Sequence, residues 1–230
     1  KNGRVLYSQI TLSQLDALSD SLAFGLESIG IIRGTRTILM ITPGMEFFIT
    51  MFAMFKVGAV PVVVDPGMGL DRMLQCLQQG RPKAFIGIEK AHLLRTLKPR
   101  YFKTVKHWVT VGKRWFWGGH TLSDLMTHTR QDFPKAHTTW DETAAIVFTT
   151  GSTGPAKGVV YTHGNFDAQI RQIQSHFQIE PDEIDLPTFP LFALFDPALG
   201  MTAVIPDMDP TKPARVNPVK IIEAIENHGV

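Results

Sequence analysis

Ala145-Ile146-Val147-Phe148-Thr149 is a β-branched and aromatic run. It opens into Thr150-Gly151-Ser152-Thr153-Gly154-Pro155-Ala156-Lys157 and closes on a second such run, Gly158-Val159-Val160-Tyr161-Thr162. Both runs have the composition of strands. Between Thr149 and Gly158 lie three glycines, four hydroxyl side chains and one lysine. That mixture suits polyphosphate. Gly151, Gly154 and Gly158 let the backbone come close to an anion and aim N–H groups at it. Thr149, Thr150, Ser152 and Thr153 add hydroxyl donors, and Lys157 adds a positive charge. The spacing excludes two common phosphate loops. A P-loop needs G-x-x-x-x-G-K-[ST], whereas Gly151 and Gly154 are too close and Gly158 follows the lysine. The dinucleotide fingerprint opens a helix, and this loop opens a strand. A hairpin loop without function would need neither the lysine nor four hydroxyls.

Outward from the loop, strand and helix patterns alternate. Thr11 and Ser13 precede an amphipathic series, Leu15, Leu18, Leu22, Leu26 and Ile29, closed by Gly30. Thr37–Ile41 reads as a strand stopped by Pro43-Gly44, and Met45–Val57 as a helix that is apolar nearly all round. Val60–Val64 is the next strand and Leu70–Gln79 the next helix. Ala84–Gly87 reads as strand, Ala91–Leu97 as helix and His107–Val111 as strand. After the loop, Asn165–Phe177 reads as helix, with His163 or Asn165 as its cap. Pro218–Asn227 reads as a last helix. The alternation predicts an α/β fold, doubly wound, with mostly parallel sheets and helices on both faces. A first α/β subdomain is expected over 1–140. The phosphate loop and the start of a second one are expected over 141–230.

Composition narrows the function classes. At 230 residues, 44% of them apolar, the chain is globular and able to bury a core. A formal charge of +2 makes no case for nucleic acid by itself. Cys76, the single cysteine, lies in an apolar helical pattern and is expected to be a buried thiol, which fits a reducing cytoplasm. The most apolar run, Phe47 to Phe55, is far short of the ~20 residues that span a bilayer, and Glu46 and Lys56 bracket it. No transmembrane segment is expected. The eight histidines show no metal-ligand spacing, so no protein-only metal site is expected. From Lys90 to Ser123 there is no acidic residue, while Lys90, Arg95, Lys98, Arg100, Lys113 and Arg114 stand among Tyr101, Phe102, Trp108, Trp115, Phe116 and Trp117. Nucleic acid, anionic lipid, the phosphates of coenzyme A or a partner protein could meet such a stretch. The plainer reading is a solvated edge with some aromatics tucked into the core.

Thr149-Thr150-Gly151-Ser152-Thr153-Gly154-Pro155-Ala156-Lys157-Gly158 resembles, over all ten positions, the signature loop of the adenylate-forming superfamily of acyl-CoA synthetases, luciferases and peptide-synthetase adenylation domains. Thr162-His163-Gly164-Asn165-Phe166, Lys56-Val57-Gly58-Ala59-Val60-Pro61 and Asp65-Pro66 extend the resemblance over most of the chain. Pro190-Leu191-Phe192-Ala193-Leu194-Phe195-Asp196-Pro197-Ala198-Leu199-Gly200-Met201, followed by Ile205 to Thr211, is similar to the β-lactone synthetases of bacterial olefin biosynthesis. Ala193 stands where many relatives carry a histidine, which puts a gating role for that histidine in doubt here.

The resemblance implies ATP-dependent activation of a carboxylate as an acyl-adenylate, with ATP and Mg as the cofactors. The substrate implied is a long-chain hydroxy carboxylic acid, a 2-alkyl-3-hydroxy fatty acid leading to a β-lactone. The alternative is a fatty-acyl-CoA ligase using coenzyme A. A non-catalytic nucleotide-binding fragment is the alternative of another class. Lys157, Thr149 and Thr150 are the implied catalytic groups, with either threonine near Mg. Gly151, Ser152, Thr153, Gly154, Lys157 and Gly158 are implied to hold pyrophosphate. Phe189, Phe192, Ala193 and Phe195 are the candidate lining for the acyl chain. Partner proteins of a lipid or olefin pathway fit this reading, and nucleic acid is not favoured. The family's magnesium-binding glutamate, its ribose-holding aspartate and its lysine-bearing C-terminal domain are not found before Val230, so the chain is expected to be the N-terminal part of such an enzyme.

Overall fold

The computed structural model describes residues 6–126, 131–149, 157–210 and 212–230. They form two compact units, Ser13–Gly164 and Asn165–Val230, the latter together with the N-terminal residues up to Leu12.

The first unit begins with α1 (Leu12–Ser28) and β1 (Arg36–Met40). α2 (Met45–Val57) follows, then β2 (Val60–Val64), α3 (Leu70–Gln79), β3 (Ala84–Ile88), α4 (Glu89–Leu97) and β4 (His107–Val111). Two short elements, β5 (His120–Thr121) and α5 (Leu122–Leu125), precede β6 (Thr143–Thr149) and β7 (Lys157–Thr162). The seven strands form one sheet in the order β5-β4-β3-β1-β2-β6-β7. All neighbours pair parallel except β6 and β7, which form an antiparallel ladder. Residues 141–164 belong to this unit because β6 and β7 extend its sheet.

The topology follows from the patterns. After β2 the chain returns past β1 to make β3 on its other side, so the winding direction reverses. Right-handed crossovers then place α2 on one face and α3 and α4 on the other. β1, β3 and β4 are apolar runs, as strands covered on both faces require. On the face of α3 and α4, Leu74 and Leu77 pack with Ile38, Val62, Phe85, Ile146 and Phe148 in one buried cluster. Cys76 lies there too, 2% exposed, with its thiol 3.7 Å from the Met68 sulfur. Burial pushes that thiol pKa up.

α2 ends where the sequence lets it. Gly58 takes a left-handed φ of 70°, and its N–H reaches the carbonyls of Met54 and Phe55. Just inside that end, the Lys56 ammonium donates to the Asp16 carbonyl at 2.8 Å, to Asp16 Oδ1 at 2.7 Å and to Asp20 Oδ1 at 2.6 Å. Lys56 and Asp20 are both buried, so the residue that ends the apolar run pins α2 onto α1.

The second unit holds α6 (His163–Phe177), counted from Asn165, then β8 (Ile184–Asp185), α7 (Asp196–Leu199), β9 (Thr202–Ala203) and α8 (Pro218–His228). β8 and β9 pair parallel. α8 is capped by the Asn217 side chain, which accepts the Val219 N–H. α6 begins two residues before the expected start, so His163 and Asn165 lie within the helix and do not cap it from outside. Among the described residues no helix is long and apolar enough to cross a membrane.

Candidate active site

Ligands of open parallel sheets bind beyond the carboxyl ends of the strands. β6 ends there, at Thr149, and the chain returns as β7 at Lys157, with Thr149 and Lys157 opposite each other in the ladder. The loop between them is therefore closed at its base by a strand pair. Thr150, Gly151, Ser152, Thr153 and Gly154 lie outside the described residues, and so do Pro155 and Ala156. Lys157 is exposed at the exit of the loop. Gly158 pairs with Phe148, and a Cβ there would come within 3.0 Å of the Phe148 ring. The glycine leaves room for a core phenylalanine to lie across the ladder, which is a packing reason beside the expected phosphate role.

The base of the hairpin is held from outside. Arg33 donates from Nε to Glu142 Oε2 at 2.9 Å and from a second guanidinium nitrogen to Oε1. Glu142 also accepts the Thr139 N–H at 2.8 Å. The Arg33 guanidinium, then the Thr139 N–H, bring the Glu142 carboxyl down to about 2. One residue later β6 starts, and the Glu142 carbonyl accepts the His163 N–H at 3.1 Å. The Gly164 N–H reaches the Trp140 carbonyl at 2.8 Å. Both ends of the hairpin are thus tied to the segment just before it. Burial lowers the His163 imidazole pKa below the ordinary histidine value. The backbone bond gives His163 a structural position, and the imidazole is neutral at pH 7.

In the second unit the candidate acyl-lining stretch is a pair of short helical turns. Phe189 and Phe192 meet edge to face at 5.4 Å and are 46% and 62% exposed. Phe195 is half-buried, 6.0 Å from the Phe166 ring. Ala193 is 1% exposed. Next to them Asp196 is 3% exposed, and its Oδ2 has no hydrogen-bond partner among the described residues. Burial first, and the Asp185 charge second, push its carboxyl up to about 7. Nothing in the spacing of the sequence singled out Asp196. Its one signal was a charged residue inside a run of Phe, Leu and Ala. Among the described residues no group of three or more His, Cys, Asp or Glu could hold a metal ion.

The family described as AMP-binding enzyme matches residues 4–230. The chain is 52% identical over 232 residues to an olefin beta-lactone synthetase of Stenotrophomonas maltophilia, covering 100% of this chain and 42% of that protein. It is 50% identical over 232 residues to the olefin beta-lactone synthetase of Xanthomonas campestris pv. campestris, covering 100% of this chain and 41% of that one. The chain thus spans about two fifths of the length of these curated relatives. Among solved structures, the apo structure of Mycobacterium smegmatis MbtA superposes with a TM-score of 0.81 at 23% identity, over 96% of this chain and 42% of that one. That likeness is one of fold.

Proposed function

Because the chain belongs to the AMP-binding enzyme family, we propose that the complete polypeptide carrying it activates a 2-alkyl-3-hydroxy fatty acid with ATP and closes it to a β-lactone. The observation that supports this reading is the 52% identity, over the whole of this chain, to an olefin beta-lactone synthetase. The strand-loop-strand hairpin, with its hydroxyl-rich composition and exposed Lys157, agrees with it.

In the first step a carboxylate oxygen of the acid attacks the α-phosphorus of ATP. A carbonyl–O–phosphorus bond forms, the bond to the bridging oxygen breaks, and pyrophosphate leaves with the electron pair. The task of the loop is to hold that pyrophosphate. Ser152, Thr153 and backbone N–H groups donate to its oxygens, and Lys157 offsets the charge that builds on it. The Thr149 or Thr150 hydroxyl would help to hold a magnesium ion, which would supply further charge neutralisation. In the second step the 3-hydroxyl oxygen attacks the acyl carbon of the adenylate. AMP departs with the electron pair of the broken C–O bond, the hydroxyl proton passes to solvent, and a four-membered lactone remains. Phe189, Phe192 and Phe195 are apolar enough to guide the alkyl chains.

The test is carboxylate-dependent ATP–pyrophosphate exchange by the complete polypeptide, with a 2-alkyl-3-hydroxy acid against a plain fatty acid, followed by product analysis. Exchange that favours the hydroxy acid, with lactone as the product, is the expected result. Preference for the plain acid, with a thioester formed only when coenzyme A is added, would replace it with the acyl-CoA ligase reading. No exchange with either acid would remove the activity.

A further inference from the structure

The loop between β4 and β5 holds aromatic rings out in water on a hydrogen-bonded frame. Trp117 is its anchor. The ring is 5% exposed, stacks on the His92 imidazole at 5.4 Å and 8°, and donates its N–H to Thr110 Oγ1 at 3.1 Å. The rest of the loop is tied down as well. Glu89 Oε1 accepts the Lys113 N–H at 2.9 Å. The Arg95 guanidinium lies 4.0 Å over the Trp108 ring and donates to the Gly118 carbonyl at 3.1 Å. Arg114 donates to the Gly119 carbonyl. On this frame sit Trp115, 51% exposed, and Phe116, 75% exposed, each packed against Trp117 at 5.3 and 5.1 Å. A loop under collapse would bury such rings. Here the internal bonds fix two of them outside.

Cations outnumber acids around them. Lys90, Lys113 and Arg114 are exposed, and between Lys90 and Ser123 the sequence has no acid. Two ionised carboxylates flank the stretch: Glu89, which accepts the Lys113 N–H, and Asp124, which is exposed, accepts the Thr121 N–H in a capping box and feels the charge of Arg114. The loop leaves the sheet at the margin strand pair β4–β5. It departs from the same carboxyl edge as the phosphate loop, four strand spacings or about 19 Å along that edge.

We propose that Trp115 and Phe116, framed by Lys90, Lys113 and Arg114, dock the protein on an anionic lipid surface. Indole and phenyl rings settle at the headgroup level, where an apolar body and a wet rim are both satisfied. The cations draw the loop to negatively charged headgroups. Single-stranded nucleic acid also takes aromatics and cations, but it needs a groove that follows its backbone. Two neighbouring rings on one loop form an insertion tip instead. The surface would bring the protein to the membrane in which an apolar carboxylic acid dissolves.

The test is sedimentation of the complete polypeptide with vesicles, without substrate, so that its outcome does not depend on the catalytic reading. Binding to phosphatidylglycerol–phosphatidylcholine vesicles is expected, weaker on pure phosphatidylcholine and weaker at raised salt. Trp115→Ser with Phe116→Ser should lower it at least about tenfold. Lys90→Gln and Lys113→Gln should each lower it about fivefold. Circular dichroism and ATP–pyrophosphate exchange of these variants should match the parent. Absence of vesicle binding, equal binding to neutral vesicles, or undiminished binding by the aromatic double variant would overturn the proposal. So would retention on single-stranded nucleic acid in place of vesicles, or a stable dimer that shields Trp115 from a soluble quencher.

Discussion

At Lys157 the backbone belongs to the β6–β7 ladder while the side chain stands in solvent. Its removal should therefore act on chemistry and not on folding. Lys157→Ala in the complete polypeptide is expected to slow ATP–pyrophosphate exchange by about 10²–10³. Its unfolding free energy should stay within about 0.5 kcal/mol of the parent. Exchange at the parental rate would take the lysine out of the mechanism. Lys56 is the opposite case. Its ammonium is buried against Asp20, so Lys56→Ala strands a carboxylate away from water. A loss of about 3–5 kcal/mol in urea unfolding is expected. Lys56→Ala combined with Asp20→Asn should recover part of it, because the carboxylate of Asp16 that then lacks its partner is exposed and no buried charge is left unpaired.

At the scale of elements, α4 carries a pH response through one buried ring. His92 is fully buried, with Nε2 3.0 Å from the Val109 carbonyl, so that nitrogen carries the proton of a neutral ring. Burial lowers its pKa from 6.5 to about 4. The unfolded chain takes up a proton near pH 6.5 that folded α4 refuses until about pH 4. Stability therefore falls as acid is added across that window, by about 3 kcal/mol over its full width. Urea midpoints measured between pH 7 and pH 4 should show this slope, and His92→Gln should flatten it. These elements were largely legible beforehand. Met45–Val57, Val60–Val64 and Leu70–Gln79 have the ends read from the sequence, because Pro43-Gly44, Gly58 and Gly80 punctuate them. β5, β8 and β9 were not read, since two residues cannot display a period. α6 starts earlier than its local pattern indicates because its first N–H groups bond to the carbonyls of Trp140 and Glu142, far back in the chain. The site divides in the same way. Loop composition and the lysine speak locally. The Arg33–Glu142 tie spans 109 residues, and the burial of Asp196 depends on what folds over it, so neither leaves a local mark.

Over the whole molecule the two units answer pH in opposite senses. Folded Asp196 keeps its proton up to about pH 7, whereas the unfolded side chain releases it near 3.8. Stability of the second unit is thus fully present below about 3.8 and declines as pH rises through about 7. Lowering the pH from 7 toward 4 should open amides of α4, and raising it from 4 to 7 should open those of α7, as hydrogen exchange resolved by peptide can read. Asp196→Asn should abolish the α7 half of that pattern and leave the α4 half intact. The strand order carries a different consequence, for the chain as it is made. β2 is complete at Val64, but its outer neighbour β6 begins only at Thr143, about 80 residues later. At about 5–20 residues/s of synthesis, that edge stands unpaired for about 4–16 s after β2 emerges. An open apolar strand edge is a template for a stranger's strand. The ribosome-bound chain therefore passes through an interval in which its centre strands are folded and adhesive, and the segment that carries the phosphate loop is also the one that ends it.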